Sequence, residues 1–228
     1  MSQQPASANE ELIAAATVLL LRDEGQGIEV LMLRRNSKIA FGGMWVFPGG
    51  RVDPEEQSDD ELESARQAAA RETHEEAGLV VAAADLVTWS HWQPPAAKDM
   101  SRAPGPLRRF STWFFAADAP GGDVAIDHGE IHEHEWLRPQ AAMDKHHAGD
   151  IELVPPTWLT LHQLAQHQTV DAALASARVS DPPRFWTRPL KTDVRALVWH
   201  GDAAYDSGDA AVPGGRNRLL LDPGGWTY

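Results

Sequence analysis

The sequence predicts an α/β protein in which helices pack on a sheet. Three observations carry that expectation. Two apolar runs of strand length, Ala15 to Arg22 and Ile28 to Arg34, flank a Gly-containing turn at Asp23 to Gly27. A long amphipathic helix with both a start and a stop signal lies between Ser58 and Gly78. Farther along, short apolar runs alternate with helical patterns.

Residues 1 to 11 are small and polar, which predicts a flexible tail. The two apolar runs then pair as a hairpin, and Trp45-Val46-Phe47 forms a short strand entering a Pro48-Gly49-Gly50 turn. Ser58 followed by Glu61 fits a capping box. Leu62, Ala65, Ala69, Thr73 and Ala77 recur at helical spacing, and Gly78 suits the helix end. Leu86 to Trp92 and Arg109 to Ala116 are strand-like, separated by a Pro- and Ala-rich loop over Gln93 to Leu107 of the kind found beside active sites. A strand around Glu135 to Leu137 is followed by helices over Pro139 to His147 and Trp158 to Gln168, the second announced by Pro155-Pro156-Thr157. Val194 to His200 and Leu219 to Asp222 predict two last strands. Pro-Gly-Gly recurs from Pro48, Pro120, Pro213 and Pro223, but only the first precedes an acidic helix, so the others are turns.

Bulk properties narrow the function. With 228 residues, 43% hydrophobic and nine Trp, the chain can bury one sizeable core. The expected organisation is a single domain over 12–228, in which the resemblance described below implies an insertion at about 51–62 and a C-terminal extension. Twenty basic against 33 acidic residues leave a net charge of −13, which disfavours polynucleotide ligands. Small anions remain accessible where local cations or backbone N–H groups overcome that field. Without Cys, there are no disulfides, thiolate metal sites or cysteine nucleophiles. The start lacks a signal-peptide pattern, and the apolar stretch from Leu12 to Leu21 is too short for a membrane span. A soluble, cytoplasmic protein is expected.

The chemistry concentrates in Arg71-Glu72-Thr73-His74-Glu75-Glu76-Ala77-Gly78-Leu79. On a helical wheel with Leu62 at zero, Glu76, Glu72 and Glu75 fall at about −40°, −80° and −140°. The carboxylates begin at the margin of the buried face and turn outward. Like charges so close destabilise a helix, and a hard divalent cation with oxygen ligands is the natural neutraliser.

These residues resemble the signature of the Nudix hydrolase superfamily: Gly, five residues, Glu, seven residues, then Arg-Glu, an apolar residue, any residue, Glu-Glu, any residue, Gly and an apolar residue. Arg71 to Leu79 matches the second half, with Thr73 in the usually aliphatic slot. The first half departs from the pattern. Glu56 stands six positions after Gly50 but fifteen before Arg71, whereas Glu63 stands the expected eight before it, so seven residues are inserted. The capping box places Glu63 inside the helix and favours it as the equivalent position, with Glu56 second.

The resemblance implies an α/β/α sandwich around a mixed curved sheet and Mg2+ (or Mn2+) held by Glu72, Glu75 and Glu76. It makes Gly49, Gly50, Glu63, Arg71 and Gly78 structural, and Glu72 catalytic, with Glu75 or Glu130 as general base. The substrate would be a small nucleotide diphosphate, and a homodimer is implied although no residue points to it. A narrower similarity is to the long, interrupted-box proteins of the peroxisomal coenzyme A diphosphatase branch. It rests on Phe47-Pro48-Gly49-Gly50, Arg108-Arg109-Phe110 and Pro155 to Trp158, with Leu31, Arg34 and Gly43 also aligning. Ile39 stands where that branch has Arg, and Gly225-Trp226-Thr227-Tyr228 is not a peroxisomal address. Coenzyme A, its acyl derivatives, or a nucleoside diphosphate linked to another group are the implied substrates.

Arg34, Arg35 and Lys38 on one side and Arg108 and Arg109 on the other are the cations available to a phosphate, Arg34 and Arg109 being preferred. Trp45, and after it Trp92, are the candidates to stack on a base. His128, His132 and His134 are read as part of an ordinary polar loop. The competing class is a non-hydrolytic nucleotide-sensing Nudix domain that regulates a partner.

Overall fold

A computed structural model describes residues 12–25, 27–36, 43–96, 99, 108–190, 193 and 195–228. The expected tail, Lys38, Ile39 and much of the 93–107 loop lie outside the described residues.

The first hairpin forms as expected, β1 (Ile13–Asp23) running antiparallel to β2 (Ile28–Arg35). The two share only Leu21 to Asp23 with Ile28 to Val30 and then diverge. Short strands fill the fork. β3 (Trp45–Val46) pairs with β2, and β4 (Gly49–Arg51) pairs with β1 through Thr17, Ala16 and Ala15. The Pro-Gly-Gly segment is therefore half turn and half strand, because β1 offers it an open edge.

The eight-stranded mixed sheet has the order β3-β2-β1-β6-β5-β8, with β4 on β1 and β7 on β2. β5 (Val87–Gln93) is antiparallel to β6 (Phe110–Asp118), which is parallel to β1. β7 (Ile131–Leu137) starts four residues earlier than the sequence pattern suggested. Its outer face carries exposed His and Glu, which hides the alternation.

Strand parity sorts the core into two layers. Ala16, Val18 and Leu20 of β1, with Leu31 and Leu33 of β2, face α1 (Glu61–Ala77). Leu19, Leu21, Val30 and Met32 face α2 (Pro139–Ala148), α3 (Pro155–Leu164) and α4 (Val170–Val179). The result is the expected α/β/α sandwich. Ala65, Ala68 and Ala69 are at most 1% exposed and let α1 lie close on the sheet. A larger side chain there would overpack the layer at about 1–3 kcal/mol.

Several expectations are corrected. Asp60, not Ser58, caps α1, its carboxylate accepting from Leu62 and Glu63 N–H at 3.0 and 3.1 Å. Ser58 instead bonds Ser64. The third helix ends at Leu164, and Thr169 caps a fourth helix whose short apolar face the sequence did not announce. Trp45 and Trp92 are 5% and 3% exposed, the latter stacked on Phe185 at 4.2 Å. Both are therefore placed in the core.

The last segment adds β8 (Arg184–Trp186), which pairs with β5. It also adds a second antiparallel sheet of β9 (Arg188–Leu190), β10 (Ala196–Val198), β11 (Arg218–Asp222) and β12 (Gly225–Thr227). Trp199 and Leu219 join this sheet to the main core. Arg218 closes it through a two-point pair with buried Asp202 at 2.6 and 2.7 Å. Among the described residues no helix is long and apolar enough to cross a membrane.

Candidate active site

The site lies where β1 and β2 part and α1 crosses the gap. Thr17 fixes the approach: its hydroxyl donates to the Pro48 carbonyl at 2.7 Å, and Val18 N–H donates to the same oxygen at 2.9 Å. That pins Gly49 and Gly50 over the helix. A Cβ at Gly49 would strike the Ala16 carbonyl and stand 2.7 Å from Thr17 Cα, and one at Gly50 would strike the Glu72 carboxylate. Gly49 is required by the close approach of β1 backbone, and Gly50 leaves room for the Glu72 carboxylate.

The three helix carboxylates take the order that the wheel predicts. Side-chain exposure rises from 4% at Glu76 through 16% at Glu72 to 55% at Glu75. Glu76 Oε2 accepts from Gly49 N–H at 2.8 Å, while its buried Oε1 has no hydrogen-bond partner. Burial pushes the Glu76 carboxyl up to about 8, with Glu72 and Glu130 adding to the rise, while Gly49 N–H and Arg35 oppose it. Burial likewise raises Glu72, against the pull of Arg71 and with help from Glu75 and Glu130.

Arg71 gathers the acids around it. Its guanidinium takes Glu56 through two nitrogens at 2.8 and 3.2 Å, Glu72 at 3.0 Å, Glu75 at 2.9 Å and the Arg51 carbonyl at 3.0 Å. Glu56 stands ready because Pro54–Glu56 forms a single 3-10 turn in which Asp53 N–H donates to Glu56 at 2.9 Å. Burial alone would raise the Glu56 carboxyl, but Arg71 and that N–H overcome it and hold it below the usual range. Glu63 is exposed, and its carboxylate accepts from Gln67 at 2.7 Å rather than from Arg71. The preference for Glu63 over Glu56 is thus corrected: the insertion lies after Glu56, and the chain folds back to deliver the earlier residue. Spacing along the sequence could not show this.

The segment 125–130 docks on the end of α1. Ala125 and Asp127 N–H donate to the carbonyls of Ala77 and Glu76. Gly78, left-handed at φ 69°, is needed there because a Cβ would stand 2.9 Å from that of Ala125. Asp127 bonds Gly129 N–H at 2.8 Å, and Asn36 N–H holds the Glu130 carbonyl at 2.7 Å. Glu130 thereby joins the cluster.

Of the cations expected at the site, Arg34 faces the other side of the sheet and meets exposed Glu133 at 3.4 Å. Arg109 is buried, its Nε donating to the Pro95 carbonyl at 3.0 Å, next to the strand end that pairs with Ile13 rather than with the Gly49 region. The structure brings neither to the carboxylate cluster. The cation that reaches the carboxylates is Arg35, with Nη2 at 3.1 Å from Glu130 and Nη1 at 3.9 Å from Glu76 Oε1. Strand parity was the available signal, since Leu31 and Leu33 share its face. His128, His132 and His134 are all exposed.

Among the described residues no three His, Asp or Glu side chains converge as a ready-made metal centre, and Arg71 pairs with both Glu72 and Glu75. The donor set nevertheless fits a hard cation. A buried carboxylate oxygen lacks a partner, and a second carboxylate is cradled by a glycine beside it.

An α/β/α sandwich with a carboxylate-bearing helix under a Gly-Gly strand defines the class. Residues 11–156 match the family model for the NUDIX domain, and the chain belongs to the Nudix family, a pyrophosphohydrolase by class. Among solved structures it is similar to a NUDIX hydrolase from Alicyclobacillus acidocaldarius, with TM-score 0.62 and 22% identity, over 74% of this chain and 97% of that one. A MutT NUDIX hydrolase from Burkholderia pseudomallei gives TM-score 0.50 and 18% identity over 68% and 99%. The NUDIX domain of Shewanella oneidensis NrtR, solved with ADP ribose, gives 0.50 and 16% over 78% and 94%. No curated protein matches the sequence.

Proposed function

We propose that the protein is a metal-dependent hydrolase of the diphosphate linkage in a small nucleotide-derived substrate, with water attacking phosphorus. The observation that carries this reading is Glu76, buried with one oxygen fixed by Gly49 N–H and the other unsatisfied, beside the Glu72 carboxylate. An uncompensated buried carboxylate is costly unless a cation or proton meets it. Glu72 and Glu76 would hold Mg2+ or Mn2+, and Glu75 would complete the set on leaving Arg71.

A bound divalent ion withdraws charge from phosphorus and lowers the pKa of its water. The chain's own residues do the rest. Gly49 N–H orients Glu76, Gly50 leaves room for Glu72, and the Glu56–Arg71 pair anchors the outer side of the cluster. Glu130 is the proposed proton acceptor, since its exposed carboxylate is held at the edge of the cluster by Arg35, 3.1 Å away. Residues after 156 are assigned to the same domain, because Trp199 and Leu219 complete its core.

Coenzyme A, acyl-coenzyme A and nucleoside diphosphates linked to another group are the substrates to compare. ADP-ribose is included because a relative of the same fold is solved with it. Product identification by mass spectrometry with Mg2+ tests the reading. Wild type should cleave at a phosphoanhydride, and Glu76→Gln should not. Tight nucleotide binding without turnover would instead favour the sensor.

A further inference from the structure

With a net charge of −13, a polyanionic substrate must meet a cation before it nears the carboxylates. Among the described residues, Arg71 and Arg35 face the cluster. Arg71 is saturated by Glu56, Glu72, Glu75 and the Arg51 carbonyl. Arg35 is not. It holds Glu130 through Nη2 alone, stands beyond hydrogen-bond reach of Glu76 at 3.9 Å, and buries an Nε with no partner.

Two buried polar atoms of this pair therefore lack a hydrogen-bond partner, the Nε of Arg35 and the Oε1 of Glu76, the latter 3.9 Å from Arg35 Nη1. Buried polar atoms in native proteins seldom go unmatched, and exceptions at a site point to a missing ligand. The backbone shows that the placement is built. Gly43 N–H donates to the Arg35 carbonyl at 2.9 Å and Arg35 N–H to that of Met44 at 3.1 Å. The β2–β7 register also shifts between Arg34 and Arg35, but the extra residue is His132 on β7, so Arg35 keeps the strand parity of Leu31 and Leu33 and faces the carboxylates.

We propose that Arg35 is the diphosphate-binding residue of this site: the incoming substrate takes its guanidinium from Glu130 and leaves that carboxylate free at the reaction centre. The inference rests on the hydrolase reading for what the phosphates belong to. The planar fork suits the exchange, since it can hold two oxygens of one phosphate where a carboxylate now occupies a single nitrogen. Glu130 is 58% exposed on its side chain, so it can swing away without unfolding the docked segment, which the backbone bonds of Asp127 and Asn36 secure.

The test is calorimetric binding of methylenediphosphonate in Mg2+, a probe that the enzyme cannot cleave. Arg35→Gln should weaken binding by about 10- to 100-fold, the range for a charge-assisted hydrogen bond, and raise KM in proportion. Arg35→Lys should recover part of the loss, and Glu130→Gln should tighten binding severalfold by removing the competing charge. Binding by Arg35→Gln within twofold of wild type overturns the inference. So does Glu130→Gln weakening binding as much as Arg35→Gln, which would make Arg35 only a brace for Glu130. Arg35-dependent binding in a wild-type protein that cleaves nothing would refute hydrolysis and leave this inference standing. Cleavage with normal binding by Arg35→Gln would do the reverse.

Discussion

Alanine at Gly50 separates the chemistry of the site from its stability. The new Cβ falls on the Glu72 carboxylate, with Glu72 Oε2 at 2.7 Å, and meets no backbone atom among its three nearest neighbours. A carboxylate is the far end of a flexible side chain, so Glu72 can turn away at a cost below about 1 kcal/mol. For a chain of this size that is a melting shift of roughly 2–4 °C or less. The displaced carboxylate, however, has moved by at least about 1 Å, and such an error in a catalytic group costs on the order of 100-fold in rate. Alanine at Gly49 behaves differently, because its Cβ meets the Ala16 carbonyl and Thr17 Cα, which cannot yield without moving β1. There the loss is of stability, about 1–3 kcal/mol. Thermal melts and Mg2+-dependent turnover on both variants read the two effects. Full activity in Gly50→Ala, or equal melting losses in the two variants, would refute the reasoning.

The buried Glu76 carboxyl, raised to about 8 in the fold, favours the protonated form relative to the unfolded chain. Metal-free stability should therefore fall as pH climbs from about 4.5 to 8, by a few kcal/mol at about 1.4 kcal/mol per pH unit of separation. Urea melts across that range should show the fall in wild type and a smaller one in Glu76→Gln, with Mg2+ suppressing it. Glu56→Gln should loosen Arg71 and cost about 1–2 kcal/mol, whereas Glu63→Gln should stay within about 0.5 kcal/mol, as denaturant midpoints would show. Asp202→Ala strands the partly buried Arg218 and should cost about 3–5 kcal/mol. The Asp202 carboxyl is held well below its usual range by Arg218, so its contribution is present above about pH 4 and lost as pH falls, which an acid melt would register.

Much of the fold was legible because the relevant signals were local. The apolar runs of β1 and β2, the alanine stripe of α1 and the Gly78 stop each declare themselves within a few residues. The order of the carboxylates also followed from helical geometry alone. The failures were non-local. Glu56 reaches Arg71 across fifteen residues of chain by a fold-back that no spacing rule encodes. Asp60 displaced Ser58 as the cap because Ser58 found Ser64 instead. Trp45 was expected in a short strand flanking the site, but the pairing of β3 with β2 in the fork buries it. Arg34 was preferred to Arg35 by family alignment, although the parity of Leu31 and Leu33 already favoured its neighbour.

Hydrolysis in 18O-labelled water addresses the reaction itself. With ADP-ribose or coenzyme A and Mg2+, wild type is expected to yield two phosphate-bearing products, with one label on a phosphate oxygen of one of them and none formed by Glu76→Gln. Label found on a carbon-bound hydroxyl, or equal cleavage by the Gln variant, would contradict attack at phosphorus governed by this carboxylate cluster.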